Sequence, residues 1–189
     1  MAFKFSKKTT TVLVAAAFAG LGATTAFSQM APFGSEEDIG FAAEVWTAME
    51  EANLAGPNAI RAALTVGNDP HGMLLETFYT EVEVAGRTGF ISVKRNYGPP
   101  GTDPEDVYND PSAYLGAITV MFQREEGYDD ENQNWFWVKY LPDGSLDKNP
   151  AGVALAGKVA KGMDVGCIAC HAVAPGDDYL FTGSMPDAM

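Results

Sequence analysis

Between residues 41 and 49 an apolar side chain returns every fourth position, at Phe41, Val45 and Met49, with Ala42 and Trp46 beside them. A repeat near 3.6 residues puts these side chains on one face and predicts an amphipathic helix. Ser35 is the expected N-cap, with Glu36, Glu37 and Asp38 in the first turn, where acids favour the positive end of the helix dipole. Gly56-Pro57 closes the segment. "PNAIRAALTV" predicts a second, short helix with Pro57 near its start.

From residue 73 the pattern changes. "MLLETFYTEVEV", "GFISVKRNY", "GAITVMFQR" and "NWFWVKY" are short runs rich in β-branched and aromatic residues. "AGRTG", "GPPGTDP", "GYDDENQ" and "LPDG" separate them with turn chemistry. They predict antiparallel strands. Within "FISVKRNY" strict alternation puts Ile91, Val93 and Tyr97 on one face and Phe90, Ser92, Lys94 and Asn96 on the other. "NPAGVALAGKVAKG" predicts a last helix, with Asn149 as cap and Pro150 at its first position. The expected class is α+β, a mainly antiparallel sheet with flanking helices.

The N-terminus bears on location. "MAFKFSKK" carries Lys4, Lys7 and Lys8 and no acid, "TVLVAAAFAGLGA" is a short apolar stretch, and Ala26 and Ser28 supply small residues. That three-part pattern is a secretory signal over 1–28, cut after Ser28, leaving one domain over 29–189. The apolar run is shorter than the roughly 20 residues of a spanning helix. The expectation is an exported, periplasmic protein with no membrane attachment after cleavage. Formal net charge is −13, and loss of three lysines with the signal makes it more negative still. Such a surface repels nucleic acid and suits a cationic electron-transfer partner such as a cytochrome c.

The only two cysteines of the chain lie in "GCIACHAV", at Cys167 and Cys170, with His171 immediately after. Four chemistries use such spacing. A thioredoxin-like pair needs a βα context near a domain's start. Zinc needs four ligands, and Cys167, Cys170, His171 and His71 would be every Cys and His in the chain. A disulfide across two residues closes too short a loop to stabilise much. Covalent haem uses both thiols for the vinyl groups and the histidine as axial iron ligand, and spacing, order and export all agree with it. After the motif only Met185 and Met189 could supply a methionine ligand, from a chain terminus. A five-coordinate iron with an open site is expected, which suits binding or transforming a small molecule better than simple electron carriage. A late C-x-x-C-H also occurs in cytochrome c′, a helical bundle, but the strand-rich centre argues against that.

With these pieces together, the chain resembles the cytochrome P-460 family, which includes cytochrome c′-β. The resemblance covers roughly residues 40–183 and rests on "FISVKRNYGP", "AITVMFQREEGYD", "NWFWVKYLPDGSLDKNPAGVALAGKVAKG" and "GCIACHAVAPGDDYLFTGS". It implies an antiparallel sheet with flanking helices, a homodimer, and one five-coordinate haem c. It also implies oxidation of hydroxylamine or a related nitrogen oxide at a haem crosslinked to a strand lysine. Lys94 matches that lysine; Lys139 is the other strand lysine but does not match the position. Where the family enzyme carries a distal glutamate this chain has Thr119, so Glu76 is the expected substitute base. Phe78, Phe90, Met121, Phe122, Trp135 and Trp137 are candidate pocket walls, and His71 a candidate distal group. The alternative within the resemblance is a cytochrome c′-β-like protein that binds nitric oxide or carbon monoxide without turnover.

Overall fold

The computed structural model describes residues 32–181, together with Met1. Lys4, Lys7, Lys8, the apolar stretch, Ser28, Met185 and Met189 lie outside the described residues.

Helix α1 spans Glu36–Glu51. Ser35 caps it through a reciprocal pair with Asp38: the Asp38 N–H donates to Ser35 Oγ at 3.1 Å, and the Ser35 N–H donates to the Asp38 carboxylate at 3.1 Å. Ala42, Val45, Ala48 and Met49 form its buried face, and of the predicted set Phe41 and Trp46 pack half-buried at its margin.

Strands β1 (Leu64–Val66), β2 (Leu74–Val84), β3 (Arg87–Tyr97), β4 (Leu115–Gln123), β5 (Trp135–Tyr140) and β6 (Ala156–Gly157) form one antiparallel sheet. Its spatial order is its chain order. Two short helices, α2 (Pro104–Asn109) and α3 (Pro111–Tyr114), fill the β3–β4 connection. Helix α4 (Cys167–His171) comes last. Among the described residues no helix is long and apolar enough to cross a membrane.

The pleat divides the sheet into two faces with different tasks. Ile91, Val93, Ile118, Val120, Phe122, Phe136, Val138 and Tyr140 pack against α1 in the main core. Met121, Trp135 and Trp137 face the other way and pack with Phe33, Val159, Ala160 and Ile168, joined by the half-buried Phe90 and Cys167. A slip in pairing between Asn96 and Tyr97 makes Asn96 oppose Ala117 and Tyr97 oppose Leu115. Gly116 absorbs the extra residue, as a β-bulge does.

Two predicted helices are not formed. Residues 57–63 carry turns and irregular backbone, and the chain then enters β1. Residues 149–162 hold turns and β6 in place of a helix. Asn149 does cap backbone, accepting from the N–H groups of Ala151 and Val153 at 3.0 Å. However, the Lys139 N–H donates to the Leu155 carbonyl and the Leu155 N–H to the Asp147 carbonyl, each at 2.9 Å. Ladder bonds to the sheet edge thus replace the i→i−4 bonds of a helix.

Candidate functional site

A cavity of ≈ 510 Å³ opens on the second face of the sheet. β3, β4 and β5 supply its wall through Ser92 and Lys94, Thr119 and Met121, and Trp137 and Lys139. The register explains this grouping, since Lys94 opposes Thr119, which opposes Lys139, while Ser92 opposes Met121, which opposes Trp137. Phe33, Leu155, Val159 and Ala160 close the apolar side, and the lining also includes Asp69, His71, Cys167, Cys170 and His171.

One helical turn explains why the last three meet: residues three and four apart share a face. Gly166 leads into that turn at φ +128°, a backbone that L side chains rarely adopt, and an added Cβ would lie 2.4 Å from the Ala160 Cβ. Gly166→Ala is therefore expected to cost about 1–3 kcal/mol, read as a lower urea midpoint. An unchanged midpoint would mean the turn is not constrained there.

Cys167 is half-buried and Cys170 exposed, and the two thiols are free. Burial pushes the Cys167 thiol up to about 11. His171 is buried. Its Nδ1 lies 2.6 Å from the Tyr179 carbonyl oxygen. A carbonyl only accepts, so Nδ1 carries the proton and Nε2 keeps its lone pair, the tautomer a metal ligand needs. The Trp137 ring sits edge-on to His171 at 5.0 Å and that of Phe181 at 5.4 Å.

Lys94 is only 6 % exposed. Among the described residues it joins none of the ion pairs. Burial lowers its pKa below the usual lysine range, so the amine is drawn towards its neutral, nucleophilic form. Lys139, by contrast, is half-buried and pairs with Asp147 at 2.8 Å. Among the described residues the buried Trp137 indole N–H has no acceptor. An unanswered donor on a cavity wall is what a bound polar group would satisfy.

Thr119 lies on the wall. Its Oγ1 is 3.2 Å from His71 Nδ1, and Asn96 Nδ2 donates to it at 3.3 Å. Burial, then Lys94, His171 and Lys139 in that order, lower the His71 pKa to about 4, so its ring is neutral at pH 7.

Glu76 does not reach the cavity, which corrects the expectation that it is the distal base. It opposes Arg95 on β3 and lies on the α1 side of the sheet, fully buried. It accepts from Arg61 Nε at 2.5 Å, the Ala62 N–H at 3.1 Å, Arg95 at 3.2 Å and the Tyr97 hydroxyl at 2.5 Å. Phe78 and Phe122 also pack on that side. Of the six candidate wall residues, Met121 and Trp137 line the cavity, and Phe90 and Trp135 pack in the cluster behind it. Sequence reasoning missed Asp69, an exposed carboxylate in the lining, although its place two residues before His71 was a signal.

Among the described residues no three His, Cys, Asp or Glu side chains converge as ligands for a bare metal ion. The donor set fits covalent haem better: two thiols, one imidazole with a free Nε2, and a largely apolar slot. Comparison with protein-family models, curated proteins and solved structures returns no match.

Proposed function

We propose that this chain is an exported mono-haem c-type cytochrome of the cytochrome P-460 kind, which oxidises hydroxylamine or nitric oxide at a lysine-crosslinked haem. The observation that carries the reading is the convergence, in one cavity, of Cys167, Cys170, His171 and the unpaired buried amine of Lys94.

Haem, when bound, supplies the redox chemistry of the nitrogen centre. Cys167 and Cys170 would hold it covalently. His171 ligates through Nε2, kept in that tautomer by the Tyr179 carbonyl. Lys94, buried in the same lining, would hold the macrocycle edge through its amine, a crosslink that would alter the ring's electronics. The wall of Met121, Trp137, Leu155 and Val159 excludes water. Thr119 offers a hydroxyl to a bound ligand. Hydroxylamine oxidation releases protons, and the acceptors in this lining are His71 and, at the mouth, Asp69. The acidic surface would suit a cationic redox partner as electron acceptor, and Cys170 marks an exposed side of the site. A second reading, binding of nitric oxide or carbon monoxide without turnover, is favoured by Thr119 standing where the resemblance expects a carboxylate.

The test is Lys94→Ala in the haem-loaded protein. Wild type should show a strongly red-shifted ferrous Soret band, and the variant an ordinary c-type band. Intact masses should differ by the side-chain change and the hydrogens lost on crosslinking. Identical spectra would remove the crosslink, and ordinary wild-type spectra with tight nitric oxide binding would select the second reading.

A further inference from the structure

We propose that His71 is the second axial ligand of the haem iron, closing at rest the position at which small ligands bind, so that a ligand must displace it. This rests on the haem reading above and departs from the open, five-coordinate iron that the resemblance implies.

The two imidazoles of the chain lie one hundred residues apart in sequence, yet their ring centres lie 6.0 Å apart, with planes at 84°. A ligating imidazole nitrogen sits about 2 Å from a first-row metal and somewhat over 1 Å from its own ring centre, so two imidazoles sharing one ion have centres roughly 6 Å apart. A small ligand held between iron and a hydrogen-bonding histidine would widen that gap by roughly 3 Å, the length of the added hydrogen bond. The observed spacing matches two imidazoles sharing one ion.

Both rings are also tied at Nδ1, His171 by the Tyr179 carbonyl and His71 by Thr119. That leaves Nε2 as the available nitrogen on each. The Thr119 hydroxyl can accept from a protonated His71 Nδ1 and pass its own proton towards Asn96 Oδ1, 3.5 Å away. A ligating histidine anchored at its other nitrogen by a hydrogen-bonded partner is the usual supporting arrangement.

The loop that carries His71 is tightly built. The Gly67 N–H donates to the Met73 carbonyl, the Met73 N–H to the Tyr97 carbonyl, and the His71 N–H to the Asn68 carbonyl, at 2.7–2.8 Å. A Cβ on Gly67 would lie 2.4 Å from the Gly72 oxygen, and one on Gly72 2.6 Å from the Tyr97 oxygen. Opening the site therefore means rotating one side chain about a fixed backbone. Thr119 takes a positioning role, and the place expected of a distal carboxylate is served through His71.

The experiment is low-temperature ferric electron paramagnetic resonance on the haem-loaded protein at neutral pH, with absorption spectra of both oxidation states. Wild type should be low-spin and His71→Ala high-spin, with added imidazole restoring the low-spin signal. Thr119→Val should raise the high-spin fraction while leaving covalent haem intact. In wild type, carbon monoxide binding should reach a rate plateau set by His71 release, a measurement that stands if His71→Ala folds poorly. Removing His71 should tighten apparent affinity roughly tenfold, as for a site competent about a tenth of the time. A high-spin wild type with covalent haem, or a low-spin signal that survives His71→Ala, overturns this assignment alone. Haem that leaves the denatured protein overturns the functional reading and this one with it.

Discussion

Glu76→Gln destabilises the fold by about 3–5 kcal/mol, the cost of leaving a buried charge without its partner. Glu76 is fully buried and Arg95 nearly so. Arg95 also donates to the Leu54 carbonyl at 2.6 Å and to the Ile60 carbonyl at 2.7 Å. After substitution it keeps those acceptors but loses the negative charge that offsets its own. The Tyr97 hydroxyl and the Ala62 N–H would share one amide oxygen instead of two carboxylate oxygens. Tyr97 is held above the ordinary tyrosine range by burial first and by its bond to Glu76 second, so it stays a donor in the variant. For a domain of this size the loss corresponds to a fall in Tm of roughly 10 °C. Urea and thermal unfolding measure it. The folded fraction should keep wild-type spectra and hydroxylamine turnover. Slower turnover at unchanged stability would return Glu76 to the catalytic role that the structure denies it.

Replacing both motif thiols abolishes covalent haem. On the haem reading each cysteine would close one thioether, so Cys167→Ser or Cys170→Ser should retain haem through a single bond with a shifted spectrum. The double variant should release it completely on acid–acetone extraction. The two positions are unequal. Cys167 is half-buried with its thiol pushed up to about 11 by burial, whereas Cys170 is exposed at the mouth. The thiolate is the reactive form, so the Cys170 bond should form faster, and Cys170→Ser should lower the yield of haem-loaded protein more. Retention of haem by the double variant under denaturation, or zinc in its place, would exclude the covalent haem assignment.

Runs of β-branched and aromatic residues between clear turn signals made β2, β3, β4 and β5 legible, and alternation within β3 assigned its two faces. The reciprocal cap made the start of α1 legible. The segment at 57–63 misled because local propensity there gives way to Glu76: Arg61 and the Ala62 N–H both bond its carboxylate, which a helical backbone would not allow. The last predicted helix failed for a similar reason, as the edge of β5 took the backbone groups that a helix needs. Glu76 itself was read on the right strand but assigned to the wrong face. Alternation within β2 says that Glu76 goes with Phe78, and only the pairing with β3 says where that face points. A hint was available in Arg95, which shares its parity with Ile91 and Val93 and so needed a buried acid. The motif's thiols and histidine were plain from spacing. The approach of His71 to His171 was not, since one hundred residues separate them and nothing local links them.

The sheet's spatial order follows its chain order, and the haem-type motif comes after the last strand. Each strand therefore meets its partner as soon as the next hairpin closes, with little loop-closure entropy to overcome and no waiting for distant sequence. During vectorial emergence of the chain, N-terminus first, the wall of Lys94, Thr119 and Trp137 can assemble before Cys167 exists to react. On the haem reading, attachment would then be a late event on a standing scaffold rather than the nucleus of folding. Destabilising the sheet should consequently reduce maturation even where every haem-contacting residue is intact.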